Sequence, residues 1–150
     1  MLISVGVLAA CGSSRPAPVG AESALFQHTW IVEEHVLVKG TSITEADATG
    51  FHGRTLEIGD RSFMSPWHGT CERVSRERDE RQLLEVVDEL EVEVPQRPKI
   101  GQFGFGAIVV EYRLSCKERQ TPPLKLYISN EKSMTCFGGA CYLMKRFIDP

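Results

Sequence analysis

The clearest alternation in the chain runs over residues 107–116, where Ile108, Val110, Tyr112, Leu114 and Cys116 face one way and Val109, Glu111, Arg113 and Ser115 the other. A period of two at this length predicts a half-buried antiparallel strand. Residues 29–38 (TWIVEEHVLV) are rich in β-branched side chains and predict an opening strand, one face carrying Trp30, Val32, Glu34, Val36 and Val38. Shorter candidates are 55–58 and 61–65, joined at Gly59-Asp60, then 70–76, and an edge piece over 90–94 that Pro95 interrupts. Three more, near 124–128, 132–137 and 140–147, are separated by Asn130-Glu131 and Gly138-Gly139 and predict a C-terminal meander. The period becomes helical twice. Ser42-Ile43-Thr44-Glu45 has the form of a capping box ahead of a helix ending near Thr49, and Leu83, Leu84, Val86, Val87 and Leu90 recur at helical spacing after Asp79.

Seven or eight antiparallel strands with two short helices make a sheet that tends to curl, and closure removes its edges. The expected fold is therefore mainly β, a small antiparallel up-and-down β-barrel, with a β-sandwich as the alternative. The length of 150 residues fits one domain. Lys and Arg number 17 against 20 Asp and Glu, so no excess of positive charge exists to neutralise phosphates, and nucleic-acid binding is excluded as a main activity.

Residues 1–10 carry no charge and are apolar or small, which suits the hydrophobic region of a signal peptide but not a membrane span. No basic segment precedes them, so the true start is expected upstream. Leu8-Ala9-Ala10-Cys11 resembles a bacterial lipobox. The resemblance implies cleavage before Cys11, lipid attachment to its thiol and, with Gly12 following, sorting to the outer membrane, facing the periplasm. Residues 11–25, with Pro16, Pro18 and Gly20, then read as a flexible tether, and 26–150 as the folded domain.

Export places the other four cysteines in an oxidising compartment. Cys136 and Cys141 flank Phe137-Gly138-Gly139-Ala140, a two-residue hairpin that makes them a directly opposed, non-hydrogen-bonded pair within disulfide reach. Cys71 and Cys116 pair by elimination. A zinc site is disfavoured because the spacings lack C-x-x-C knuckles.

In outline the chain resembles the calycin group of small exported barrels, lipocalin-like proteins included, over residues 26–148, with Trp30 near the start of the first strand and Arg146 near the end of the last. Trp30, Glu34, Phe63, Phe105 and Tyr112 are the candidate lining of a pocket, which such side chains line or fill. Glu34 interrupts an apolar face. It is either a ligand-orienting group or base inside the barrel, or part of a bulge at Glu33-Glu34 that sends both carboxylates to solvent. His28 and His35 fall on opposite faces of a regular strand, while His52 and His68 sit in loops with nothing to join them. Gly101–Gly106 (GQFGFG) runs from a Pro-rich stretch into a strand, which excludes a phosphate loop and predicts a bending strand start. No catalytic motif, metal set or cofactor motif is present. The expected function is an envelope-anchored, non-enzymatic binding module for a small apolar ligand or an envelope protein, inhibition of an exported enzyme being one form. The alternatives are a metal-assisted enzyme using Glu34 and histidines, and a structural envelope component.

Overall fold

The computed structural model describes residues 28–148. The leader 1–10, the lipid-attachment candidate Cys11 and the tether 11–25 lie outside the described residues. Nine strands form: β1 (His28–Leu37), β2 (Thr55–Ile58), β3 (Phe63–Ser65), β4 (Gly69–Cys71), β5 (Val74–Gln82), β6 (Ile108–Cys116), β7 (Leu124–Ser129), β8 (Lys132–Phe137) and β9 (Ala140–Arg146). Three short helices accompany them: α1 (Glu45–Thr49), α2 (Leu83–Glu89) and α3 (Pro98–Phe103). All strands belong to one antiparallel sheet in the order β4-β3-β2-β1-β9-β8-β7-β6-β5. The sheet curls until its ends approach, giving a nearly closed barrel of nine strands where seven or eight are read from the sequence. At the seam the Val74 N–H donates to the Arg61 carbonyl at 2.9 Å, and Cys71 of β4 is bonded to Cys116 of β6. The second bridge joins Cys136 to Cys141 across the β8–β9 hairpin, where the two residues are register partners with Cα atoms 3.9 Å apart.

Two apolar clusters hold the sheet. The inner one is the barrel interior, with Trp30, Val32, Leu56, Phe63, Tyr112, Leu114, Leu124, Leu126, Tyr142 and Met144 packed together. The outer one lies between the opposite face of β1 and β6–β9 and the helices that cover it, and includes Val36, Val86, Val87, Ile100, Phe105, Tyr127, Met134 and Leu143. Covering both faces of one half of the sheet explains why β7 to β9 are buried nearly throughout.

Strand β1 carries a bulge. Val32 pairs with Met144 and Glu34 with Leu143, leaving Glu33 as the extra residue. Two adjacent glutamates cannot both avoid a regular interior face, and an unpartnered carboxylate inside is costly. The bulge solves this: Glu33 forms an ion pair with Lys145 of β9, Glu34 is exposed, and the alternation resumes one step later, with His35 inside opposite Tyr142 and Leu37 opposite Ala140.

Several boundaries move. Helix α1 starts two residues later than the Ser42 capping box predicts, because Thr44 is the cap: its hydroxyl accepts from the Asp47 N–H at 3.1 Å while the Asp47 carboxylate accepts from the Thr44 N–H at 3.2 Å. Residues 79–82 belong to the strand β5 and not to the start of α2. The edge strand expected over 90–94 is reduced to one bridge, Val38 to Val92, before a 3-10 turn, Val94–Gln96. Residues 98–103 are helical: Pro98 occupies the first turn, where its missing N–H costs nothing, and Gly104 at φ 125° stops the helix.

Candidate functional site

The end of the barrel where β1 finishes and β8 turns into β9 is closed by a plug rather than left open. Helix α1 crosses this mouth, and the turn after it brings Phe51 inward. Phe51 meets the Tyr142 ring edge-on at 5.1 Å, and Trp67, from the β3–β4 turn, stacks on Tyr142 at 4.8 Å. Such aromatic pairs contribute about 1 kcal/mol each beyond burial. Burial pushes the Tyr142 phenol above its ordinary value. Outside this layer His68 meets Phe137 edge-on at 5.3 Å, and Phe137 is 43% exposed at the hairpin tip. The β3–β4 turn is built by Ser65, whose hydroxyl accepts from the Trp67 and His68 N–H groups at 3.1 and 3.2 Å. Arg119, from the β6–β7 loop, clamps it by donating to the His68 carbonyl at 3.0 Å. Burial, helped by the Arg119 charge, lowers the His68 pKa.

Beside the plug lies a polar ladder. His35, 5% exposed, uses both ring nitrogens. Its Nε2–H donates to the Glu45 carboxylate of α1, and its Nδ1 is 2.9 Å from His52 Nε2. The hydrogen bond from His35 holds the Glu45 carboxyl below its ordinary value, against the opposing effect of burial. Gln96 ties the ladder to the 3-10 turn: its carbonyl accepts from the Leu37 N–H at 2.7 Å and its amide donates to Glu93 at 3.2 Å. A carboxylate, a buried imidazole and a half-buried imidazole in series can orient His52 and pass it a proton. Among the described residues no group of three or more His, Cys, Asp or Glu side chains is arranged to hold a metal ion.

The five candidate lining residues are brought together only in part. Trp30, Phe63 and Tyr112 lie inside the barrel at 1%, 4% and 2% exposure and fill it. Glu34 lies on the outside, by a shallow cleft with Lys99, Gln102 and Phe103. Phe105 belongs to the outer cluster, under α2 and α3. His28 shares the inner face with His35, because the bulge restores it, yet sits at the far end of β1 opposite Ile58. The ladder of Glu45, His35 and His52 is not visible in the sequence, where its members stand 10 and 17 positions apart. The one sequence signal that bears on it is the Glu33-Glu34 doublet, since a bulge there turns His35 inward. Comparison with known protein families, curated proteins and solved structures finds no match for this chain.

Proposed function

We propose that this is a lipid-tethered envelope protein whose barrel is a rigid mount for a protein-binding rim, not a container for a small ligand. The observation that carries this reading is the filled interior: Trp30, Tyr112, Tyr142, Leu56, Leu114, Leu124 and Leu126 are each no more than 2% exposed and pack on one another where a ligand would sit. In this reading recognition falls to the side chains of the plugged mouth, namely Trp67, His68 and Phe137 with His52 beside them. Aromatic and histidine-rich rims of this kind suit a protein partner, since rigid rings contribute contact area at small entropic cost. The lipobox-like Leu8-Ala9-Ala10-Cys11 supplies the anchor in this reading, and the two disulfides fit an oxidising compartment.

The test is in vivo photocrosslinking from position 137 of the full chain, expressed from its authentic start in the cell of origin. A discrete adduct with one envelope protein, lost when Cys11→Ala abolishes palmitate incorporation, is expected. A small molecule that co-purifies stoichiometrically, with no adduct at position 137, overturns the reading.

A further inference from the structure

The two disulfides differ in what they hold. Cys71–Cys116 joins β4 to β6, strands that are not neighbours in the sheet, and both residues are buried, at 0% and 8% exposure. Cys136–Cys141 joins β8 to β9, which are already paired from Lys132–Lys145 to Phe137–Ala140. That pairing has other support: the Thr135 hydroxyl donates to the Lys125 carbonyl at 2.8 Å, the Val38 N–H donates to the Gly139 carbonyl at 3.0 Å, and Met134 and Leu143 are buried in the outer cluster. The hairpin therefore keeps its register with this bridge open. Its position also compresses the bond. Directly opposed residues of a non-hydrogen-bonded pair stand about 4.5 Å apart between Cα atoms, the short limit for a disulfide, whose usual separation is about 5.5–6 Å. The Cα atoms of Cys136 and Cys141 are 3.9 Å apart, and those of Cys71 and Cys116 5.8 Å. Compression makes a bridge easier to reduce.

We propose that Cys136–Cys141 is a thiol–disulfide exchange site whose substrate is a protein dithiol, while Cys71–Cys116 is the structural bridge. Access decides which sulfur is attacked. Cys136 is half-buried beside the exposed tip residues Phe137 and Gly138, whereas Cys141 is fully buried. A thiolate of the dithiol attacks Cys136 Sγ, the Cys136–Cys141 bond breaks, and Cys141 leaves as a thiolate. The proton of the second thiol passes to Cys141. That second sulfur then attacks its own neighbour in the mixed disulfide, and Cys136 leaves and takes up the proton that the first thiol released. The dithiol ends as a disulfide, and the bridge has gained two electrons and two protons. A monothiol stops at the mixed disulfide, which is why the substrate is a dithiol. Phe137 at the tip meets His68 across the mouth, so opening the bridge slackens the segment that presents this ring. The exchange is a property of the chain alone, so its failure is separate from that of the crosslink at position 137.

The test uses the oxidised full chain in mild detergent. It is equilibrated with dithiothreitol at rising ratios of dithiol to its oxidised form, quenched in acid, alkylated and mapped by peptide mass spectrometry. Cys136 and Cys141 are expected to be alkylated together at a ratio at least about a hundredfold below the one that opens Cys71–Cys116, a gap of about 60 mV. At that point the near-ultraviolet circular dichroism of the buried aromatic side chains is expected to stay native, and amide exchange from Phe137 to Ala140 to quicken. Glutathione, a monothiol, is expected to accumulate as a mixed disulfide on Cys136 and not on Cys141. Both bridges opening at one ratio, Cys71–Cys116 opening first, native dichroism lost in step with reduction of Cys136–Cys141, or glutathione carried on Cys141 each overturns the proposal. Tip amides that exchange no faster after reduction overturn its link to the mouth.

Discussion

His35 shows how one residue's surroundings set another's chemistry. Its Nε2–H is aimed at Glu45 because its other nitrogen is occupied by His52. The Glu45 carboxyl is held below its ordinary value of 4.5 chiefly by that bond, so His35→Phe is expected to let it climb back toward 4.5, as carbon-detected NMR titration of the carboxyl would show. If the Glu45 titration does not move, the short contact is not what stabilises the carboxylate. A second residue-scale prediction concerns the hairpin tip. Gly138 and Gly139 both have positive φ, 60° and 94°, which costs a residue with a Cβ about 1 kcal/mol. A Cβ on Gly138 would meet open space, while one on Gly139 would overlap the Thr41 side chain. Gly138→Ala is therefore expected to cost about 1 kcal/mol and Gly139→Ala more than about 2 kcal/mol in urea denaturation. Equal losses would mean that Thr41 does not lie against the turn.

At the scale of elements, β5 is held by charge where its neighbours are held by apolar packing. Arg81 lies 2.9 Å from Glu111 of β6 and 2.5 Å from Glu89 of α2, and Glu111 is 5% exposed. The two carboxylates raise the Arg81 pKa, and burial pushes the neighbouring Tyr127 phenol up. Removing Arg81 strands the buried Glu111 carboxylate, so Arg81→Ala is expected to cost about 3 kcal/mol, whereas Arg81→Ala with Glu111→Leu recovers much of it. A loss under about 0.5 kcal/mol in the single variant would make this an ordinary surface pair. The same strand explains the limits of reading elements from sequence. Strands β1, β6 and β7 to β9 announce themselves by apolar alternation, and the Gly-Gly turn announces the Cys136–Cys141 bridge. Strand β5 has no apolar rhythm, since no side chain in it is buried, so its last residues read as the polar entry to α2. Helix α3 was obscured for the opposite reason: the glycines of GQFGFG suggest a bend, and only the fixed φ of Pro98 and the packing of Ile100 in the outer cluster make a helix of it. The ladder at the mouth was illegible because it depends on a bulge that re-aims one side chain and on a turn that carries His52 back across the barrel.

For the molecule as a whole, closure of the sheet rests on the seam between β4 and β6, and the response to pH rests on groups buried at its two ends. The Cys71–Cys116 bond spans 45 residues and the Cys136–Cys141 bond 5, so on the chain-entropy account the first contributes about 4 kcal/mol and the second about 2 kcal/mol. Replacing each pair by alanine should show that order in denaturant midpoints; the reverse order would mean that hairpin register, not barrel closure, limits stability. The pH dependence follows from the direction of each shift. His28 and His68 have folded pKa values lowered from 6.5, in both cases mainly by burial, so above 6.5 they cost nothing, and as pH falls through that value the unfolded chain takes up their protons first and the fold loses stability. The lowered values of Glu45, Asp47 and Glu89 extend the loss below 4.5 and 3.8. Tyr127 and Tyr142 are raised above 10.0, so above that pH the unfolded chain ionises first and stability falls again. The urea midpoint is expected to be flat from about pH 7 to about pH 10 and to decline on both sides. His68→Gln should remove part of the decline between pH 6.5 and 5 while leaving the fall above pH 10 in place, and an acid limb unchanged by that substitution would place its origin elsewhere than the clamped turn at the mouth.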